Sequence, residues 1–163
     1  MKRMLRDWTV AVLVGVLVFF AFDWLTTSNP TGEVAPAFKL VNAAGGAVSL
    51  SDYSGQRVIL NFWGTWCGPC VREIPEFAKW SKEHPDVPIL GIAADSGEGA
   101  KLLRDAKRLG VTWPVLESDR AVLSAYGVDV FPTTMVVSAD GTIESAVRGA
   151  IDERGLERLV NGK

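Results

Sequence analysis

The sequence predicts an α/β fold, a sheet covered on both faces by helices. Three observations carry this. The apolar run Val58 to Trp63, rich in β-branched and aromatic residues, is followed at once by a segment of helical character. Strand-like and helix-like segments then alternate as far as Tyr126. Two strand-like runs around an Asp140-Gly141 turn, and a last helix, close the chain. At 163 residues the chain holds one domain with a substantial core plus an appendage.

The appendage comes first. Residues 1–7 are a short tail carrying Lys2, Arg3 and Arg6. Residues 8–25 are nearly all apolar, with Asp23 as their one charge near the far end. Eighteen helical residues span about 27 Å, close to the hydrocarbon thickness of a bilayer. Trp8 and Trp24 suit the two interfaces. The basic flank keeps the N-terminus cytoplasmic and sends the body across. A cleaved secretory signal is the competing arrangement. However, no small-x-small site follows Phe20, and no cysteine is present there for a lipid. Both arrangements deliver the domain outside the cytoplasm, where a disulfide persists. Residues 26–36, with Pro30, Gly32 and Pro36, read as a linker, and residues 37–163 as the folded domain.

Within the domain, Ala37–Val41 and Ala47–Leu50 flank Gly45-Gly46 as a hairpin, and Ser51–Gly55 is a turn. Val58–Trp63 is a central strand buried on both faces. A helix runs from about Pro69 to Glu83 with Ile74, Phe77, Ala78 and Ser81 on one face and a kink at Pro75. Pro88–Ala94 is the next strand. Glu98–Leu109 is a helix with Leu102, Leu103, Ala106 and Leu109 inward, stopped by Gly110. A short strand, Trp113–Leu116, and a short helix, Ala121–Tyr126, follow. Thr133–Ser138 and Thr142–Arg148 form the closing hairpin. Asp152 caps a final helix with Leu156, Leu159 and Val160 inward.

The chemistry centres on Trp66-Cys67-Gly68-Pro69-Cys70, which holds the chain's two cysteines. Strand, Cys-x-x-Cys, helix is the context in which this spacing reads as a redox site. Residues i and i+3 in a first helical turn lie close enough to close a small disulfide loop. The unpaired N–H groups and positive dipole end of the helix favour a thiolate at the first position, and the thiolate is the nucleophile. Pro69 suits a helix start, where its missing N–H costs nothing. Cys67 is therefore the attacking sulfur and Cys70 the resolving one. A zinc site would need two more soft ligands, and His84 is the one histidine. It sits at a helix end as a cap residue. A staple closing so short a loop removes little unfolded-state entropy. The cysteine pair needs no further cofactor. A net charge of −2 gives no footing for nucleic acid.

Asn61-Phe62-Trp63-Gly64-Thr65-Trp66-Cys67-Gly68-Pro69-Cys70 resembles the active-site segment of thioredoxin-like proteins. Val71-Arg72-Glu73-Ile74-Pro75 is similar to the membrane-anchored TlpA/ResA branch. Gly127-Val128-Asp129-Val130-Phe131-Pro132-Thr133-Thr134 resembles that family's cis-proline segment. The resemblance runs from about Val34 to the C-terminus. It implies a thioredoxin fold with a central mixed sheet, an N-terminal hairpin, and a central insertion made of the Glu98–Leu109 helix and the strand after it. It also implies that Pro132 is cis, and that the backbone of Phe131 pairs with a client strand. Glu73 would influence cysteine acidity and proton transfer. Thioredoxin itself carries an aspartate six residues before its first cysteine; here that position is Asn61, which cannot titrate, and Glu73 is the nearest replacement by sequence.

Trp66 and Phe131, with Tyr126, supply an apolar rim for client proteins, and Trp63 belongs to the core. The resemblance implies a disulfide reductase with clients such as apocytochrome c or copper-site proteins, and the tether beside the membrane suits recharging by a membrane thiol donor. Two alternatives fit less well. A peroxiredoxin-type peroxidase needs a threonine three residues before its cysteine and a proline seven before, where this chain has Gly64 and Leu60. A copper chaperone wants Cys-x-x-x-Cys and a distant histidine, which neither the cysteine spacing nor His84 supplies.

Overall fold

The structure is a computed structural model that describes residues 12–19 and 30–162. Its centre is a five-stranded mixed sheet. Strands β1 (Lys39–Val41) and β2 (Ala47–Ser49) form a separate antiparallel hairpin, followed by a 3-10 turn, Leu50–Tyr53, where the sequence suggests a plain turn. Then come β3 (Val58–Trp63), α1 (Gly68–Glu83), β4 (Ile89–Ala93), α2 (Gly99–Leu109), β5 (Val115–Glu117), α3 (Arg120–Ala125), β6 (Thr133–Val137), β7 (Ile143–Arg148) and α4 (Glu153–Val160). The sheet order is β5-β4-β3-β6-β7. β3 pairs parallel with β4 and antiparallel with β6. It is the middle strand, so both faces must be apolar, and all six of its residues are buried.

Alternation along β3 divides the core. Val58, Leu60 and Phe62 face a cluster with Leu90, Ile92, Met135, Tyr126 and Phe38. Ile59 faces Phe77, Trp80 and Leu156, which come from α1 and α4. Trp63 joins Ile74 of α1 and Leu102 and Ala106 of α2. The expected insertion, α2 and β5, supplies the edge of the sheet: β5 pairs parallel with β4. Gly110, at φ 92°, ends α2 in a left-handed cap that a side chain would strain. Asp152 caps α4 through Oδ1, which accepts from the Gly155 N–H at 2.7 Å.

Several expectations change in detail. The inner face of α1 is Cys70, Glu73, Ile74, Phe77 and Trp80, while Ala78 and Ser81 are half-buried. Trp80 takes the inward place because it lies three residues from Phe77 and seven from Glu73, on their side of the helix. α1 runs on through Pro75, whose ring is exposed. Part of the expected linker belongs to the folded body. The Gly32 and Ala35 N–H groups donate to the carbonyls of Ile143 and Gly141 at 2.8 Å each, so residues 32–35 are tied to the β6–β7 turn. Residues 12–19 are helical and exposed. Among the described residues no helix is long and apolar enough to cross a membrane. The remainder of the expected 8–25 span, the 1–7 tail and residues 26–29 lie outside the described residues.

Candidate active site

β3 ends at Trp63, and the chain turns through Gly64-Thr65-Trp66 into α1. Cys67 is the N-cap of α1, and its Sγ accepts from the Cys70 N–H at 3.3 Å. One otherwise unpaired donor of the helix end is thereby spent on sulfur, the interaction that favours a thiolate there. Cys67 and Cys70 are joined as a disulfide, with Cα atoms 5.2 Å apart. Cys67 retains 5% exposure and Cys70 none, so Cys67 is the less deeply buried of the pair. Among the described residues no cluster of His, Cys, Asp or Glu could hold a metal ion.

The Phe131–Pro132 bond is cis. Phe131 packs against the core cluster that contains both cysteines, and its ring meets Trp66 edge-on at 5.6 Å. The loop before β6 is pinned on both sides of Phe131. Thr133 Oγ1 donates to the Val130 carbonyl at 2.8 Å, and the Gly149 N–H donates to the Pro132 carbonyl at 2.7 Å. Among the described residues nothing bonds the N–H or C=O of Phe131 itself. Backbone groups left open in this way are the kind that can pair with an added strand.

Glu73, one turn behind Cys70, is 3% exposed. Its Oε1 accepts from Asn61 Nδ2 at 3.0 Å and its Oε2 from the Ile151 N–H at 3.3 Å. Asn61 Nδ2 also donates to Thr134 Oγ1 at 3.1 Å. Burial raises the Glu73 pKa to about 7, against the two hydrogen bonds, which favour the anion. The carboxylate thus comes from the helix and meets the asparagine on the strand.

Trp66 is exposed and Phe131 half-buried, forming part of an apolar rim with exposed Val130. Tyr126 does not join them. It is buried between Phe38 and Phe62, and its hydroxyl donates to the Pro36 carbonyl at 2.6 Å, a partner 90 residues away that sequence spacing does not reveal. Trp63 is core, and His84 is the C-cap of α1, stacked on Trp80. Sequence reasoning overlooked Ser96, a buried loop serine that contacts the active-site turn, because a single serine outside a periodic segment carries no pattern.

A thioredoxin-type sheet with a Cys-x-x-Cys disulfide at the N-terminus of its first major helix, beside a cis-proline loop, defines the class of thiol–disulfide exchange proteins. Comparison with known proteins sharpens the class. The chain belongs to the AhpC/TSA family, whose model matches residues 31–146. It is 37% identical over 165 residues to the thiol-disulfide oxidoreductase ResA of Bacillus subtilis (strain 168), covering 98% of this chain and 92% of that one. It is 33% identical over 147 residues to ResA of Geobacillus kaustophilus (strain HTA426), covering 89% and 84% of the two chains. A thiol:disulfide interchange protein of the thioredoxin family from Chlorobium tepidum TLS superposes with a TM-score of 0.70 at 26% identity, over 83% of this chain and 97% of that one. The fold, the disulfide and these relatives agree on a ResA-type thiol–disulfide oxidoreductase acting on disulfide-containing clients.

Proposed function

We propose that the protein is a membrane-tethered reductant of client-protein disulfides outside the cytoplasm. The single observation that carries the chemistry is the Cys67–Cys70 disulfide at the start of α1, with Cys67 outermost. The Cys67 thiolate attacks one sulfur of a client disulfide. A mixed disulfide forms and the first client thiolate leaves. Cys70 then loses its proton and attacks Cys67 Sγ. The internal disulfide forms, and the second client thiolate leaves. The client gains two electrons and takes up protons at its thiols; the enzyme is left oxidised. A membrane dithiol donor returns the two electrons by the same exchange in reverse.

Glu73 is the acceptor for the Cys70 proton. A pKa of about 7 and a place one turn behind Cys70 support that role, since a base near ambient pH exchanges protons most readily. The open N–H and C=O of Phe131 bond the client backbone next to its cysteine, with Pro132 and Trp66 lining the approach. The apolar run at residues 8–25 behind Lys2, Arg3 and Arg6 supports an uncleaved anchor with its N-terminus cytoplasmic. A domain held beside the membrane suits haem-binding cysteines of apocytochrome c or copper-site proteins as clients.

Insulin reduction with dithiothreitol as donor tests the chemistry. The wild-type protein should accelerate it, and Cys67→Ser should abolish the acceleration. A Cys67→Ser variant as fast as wild type would end the reading.

A further inference from the structure

We propose that Ser96 is a positioning residue that fixes the angle at which Trp66 meets the client, through one hydroxyl shared between the active-site turn and the end of β4. The proposal rests on the reductase reading above.

The turn Gly64-Thr65-Trp66 is not held by the sheet, because β3 ends at Trp63. It rests instead on the loop after β4. Ser96 Oγ accepts from the Thr65 N–H at 2.9 Å and donates to the Ala94 carbonyl at 2.8 Å. That same carbonyl accepts from Trp66 Nε1 at 3.0 Å. Ser96 is 4% exposed, so solvent does not readily replace its hydroxyl. Two consecutive residues of the turn, one by its backbone and one by its ring, are thus fastened to one serine–carbonyl pair.

The third side of the clamp is Gly64. A Cβ there would lie 2.8 Å from Cε2 and Nε1 of Trp66, so the indole lies directly against the glycine. With Gly64 beneath it and the Ala94 carbonyl at its Nε1, the ring is held in one orientation. Yet 57% of Trp66 is exposed, and its other neighbour is the ring of Phe131, set nearly perpendicular to it. An exposed tryptophan normally samples several rotamers; here the hydrogen bond at Nε1 and the close fit on Gly64 oppose that freedom. Rigid aromatic anchors bind at lower entropic cost than mobile ones. The paired rings of Trp66 and Phe131 suit an apolar side chain of the client beside its attacked cysteine.

Loosening the clamp should weaken client binding more than the exchange chemistry. Ser96→Ala leaves the Thr65 N–H without its acceptor and frees the Ala94 carbonyl from its second partner. For insulin, KM should rise about three- to tenfold, the scale of one lost hydrogen bond, with kcat changing less than about twofold. Ser96→Thr, which keeps the hydroxyl, should restore most of the loss. Gly64→Ala, which pushes the ring from its seat, should reproduce the KM effect without touching Ser96. In a Trp66→Ala background, Ser96→Ala should add little further rise in KM. The inference is overturned if Ser96→Ala leaves KM unchanged, if it lowers kcat and leaves KM alone, or if its KM effect is as large without Trp66 as with it. These results require a wild-type protein that reduces insulin. A wild type that does not is the failure of the reductase reading itself.

Discussion

At the scale of single residues, the chemistry depends on which groups are buried without losing their partners. Glu73 is the clearest case. Its folded pKa of about 7 stands above its ordinary value of 4.5 because burial penalises the charged form. Between those values the native state holds a proton that the unfolded chain has released. Stability therefore falls as pH rises from about 4.5 to about 7, by about 1–3 kcal/mol at ~1.4 kcal/mol per pH unit. Glu73→Gln should flatten this stretch of the stability profile of the oxidised protein, measured by chemical denaturation at a series of pH values. A variant with the wild-type slope would assign the slope to another group. Cys67 and Cys70 were legible in the sequence because their chemistry is local, a spacing and a helix start; the cis bond at Pro132 was legible only through the resemblance of its segment to the thioredoxin-like family. The bonds from Glu73 to Asn61 and the Ile151 N–H were not, because they span 12 and 78 residues.

At the scale of elements, α1 is the part whose placement decides the site. Apolar spacing alone predicts an inner face of Ile74, Phe77, Ala78 and Ser81. The ionisable Glu73 is buried in the middle of the true face, and that interrupts the apolar pattern and hides Trp80. Trp80 is 1% exposed, and its Nε1 donates to Glu157 Oε2 of α4 at 2.7 Å. It joins the helix carrying the cysteines to the helix that closes the chain. Trp80→Ala should therefore cost about 3–5 kcal/mol in denaturant unfolding, as large core truncations do. Asp152→Ala, which removes only the cap of α4, should cost about 1 kcal/mol. Equal costs for the two would mean that α4 is held by its cap rather than by its packing on α1.

At the scale of the whole molecule, the strand order places β3 centrally and delivers both the cysteine turn and the cis-proline loop to one site. The fold class was legible because alternation of strands and helices survives errors of a few residues at each boundary. The pinning of residues 32–35 to the β6–β7 turn was not, since it depends on backbone hydrogen bonds across the chain. The proposed anchor makes the full chain a membrane protein that should stay with membranes through salt and alkaline washing. A shortened, freely soluble mature protein would contradict the anchor and leave the chemistry untouched.

The central claim is that Cys67 attacks and Cys70 resolves. Replacing Cys70 with serine in the full chain leaves Cys67 as N-cap of α1 with no internal thiol to release the mixed disulfide, since the chain has two cysteines. Non-reducing electrophoresis of cells expressing Cys70→Ser should show covalent adducts that vanish with dithiothreitol, and mass spectrometry of the adducts names the clients. Cys67→Ser should trap far less, because Cys70 is fully buried. Strong trapping by Cys67→Ser and none by Cys70→Ser would contradict the assignment of the two sulfurs.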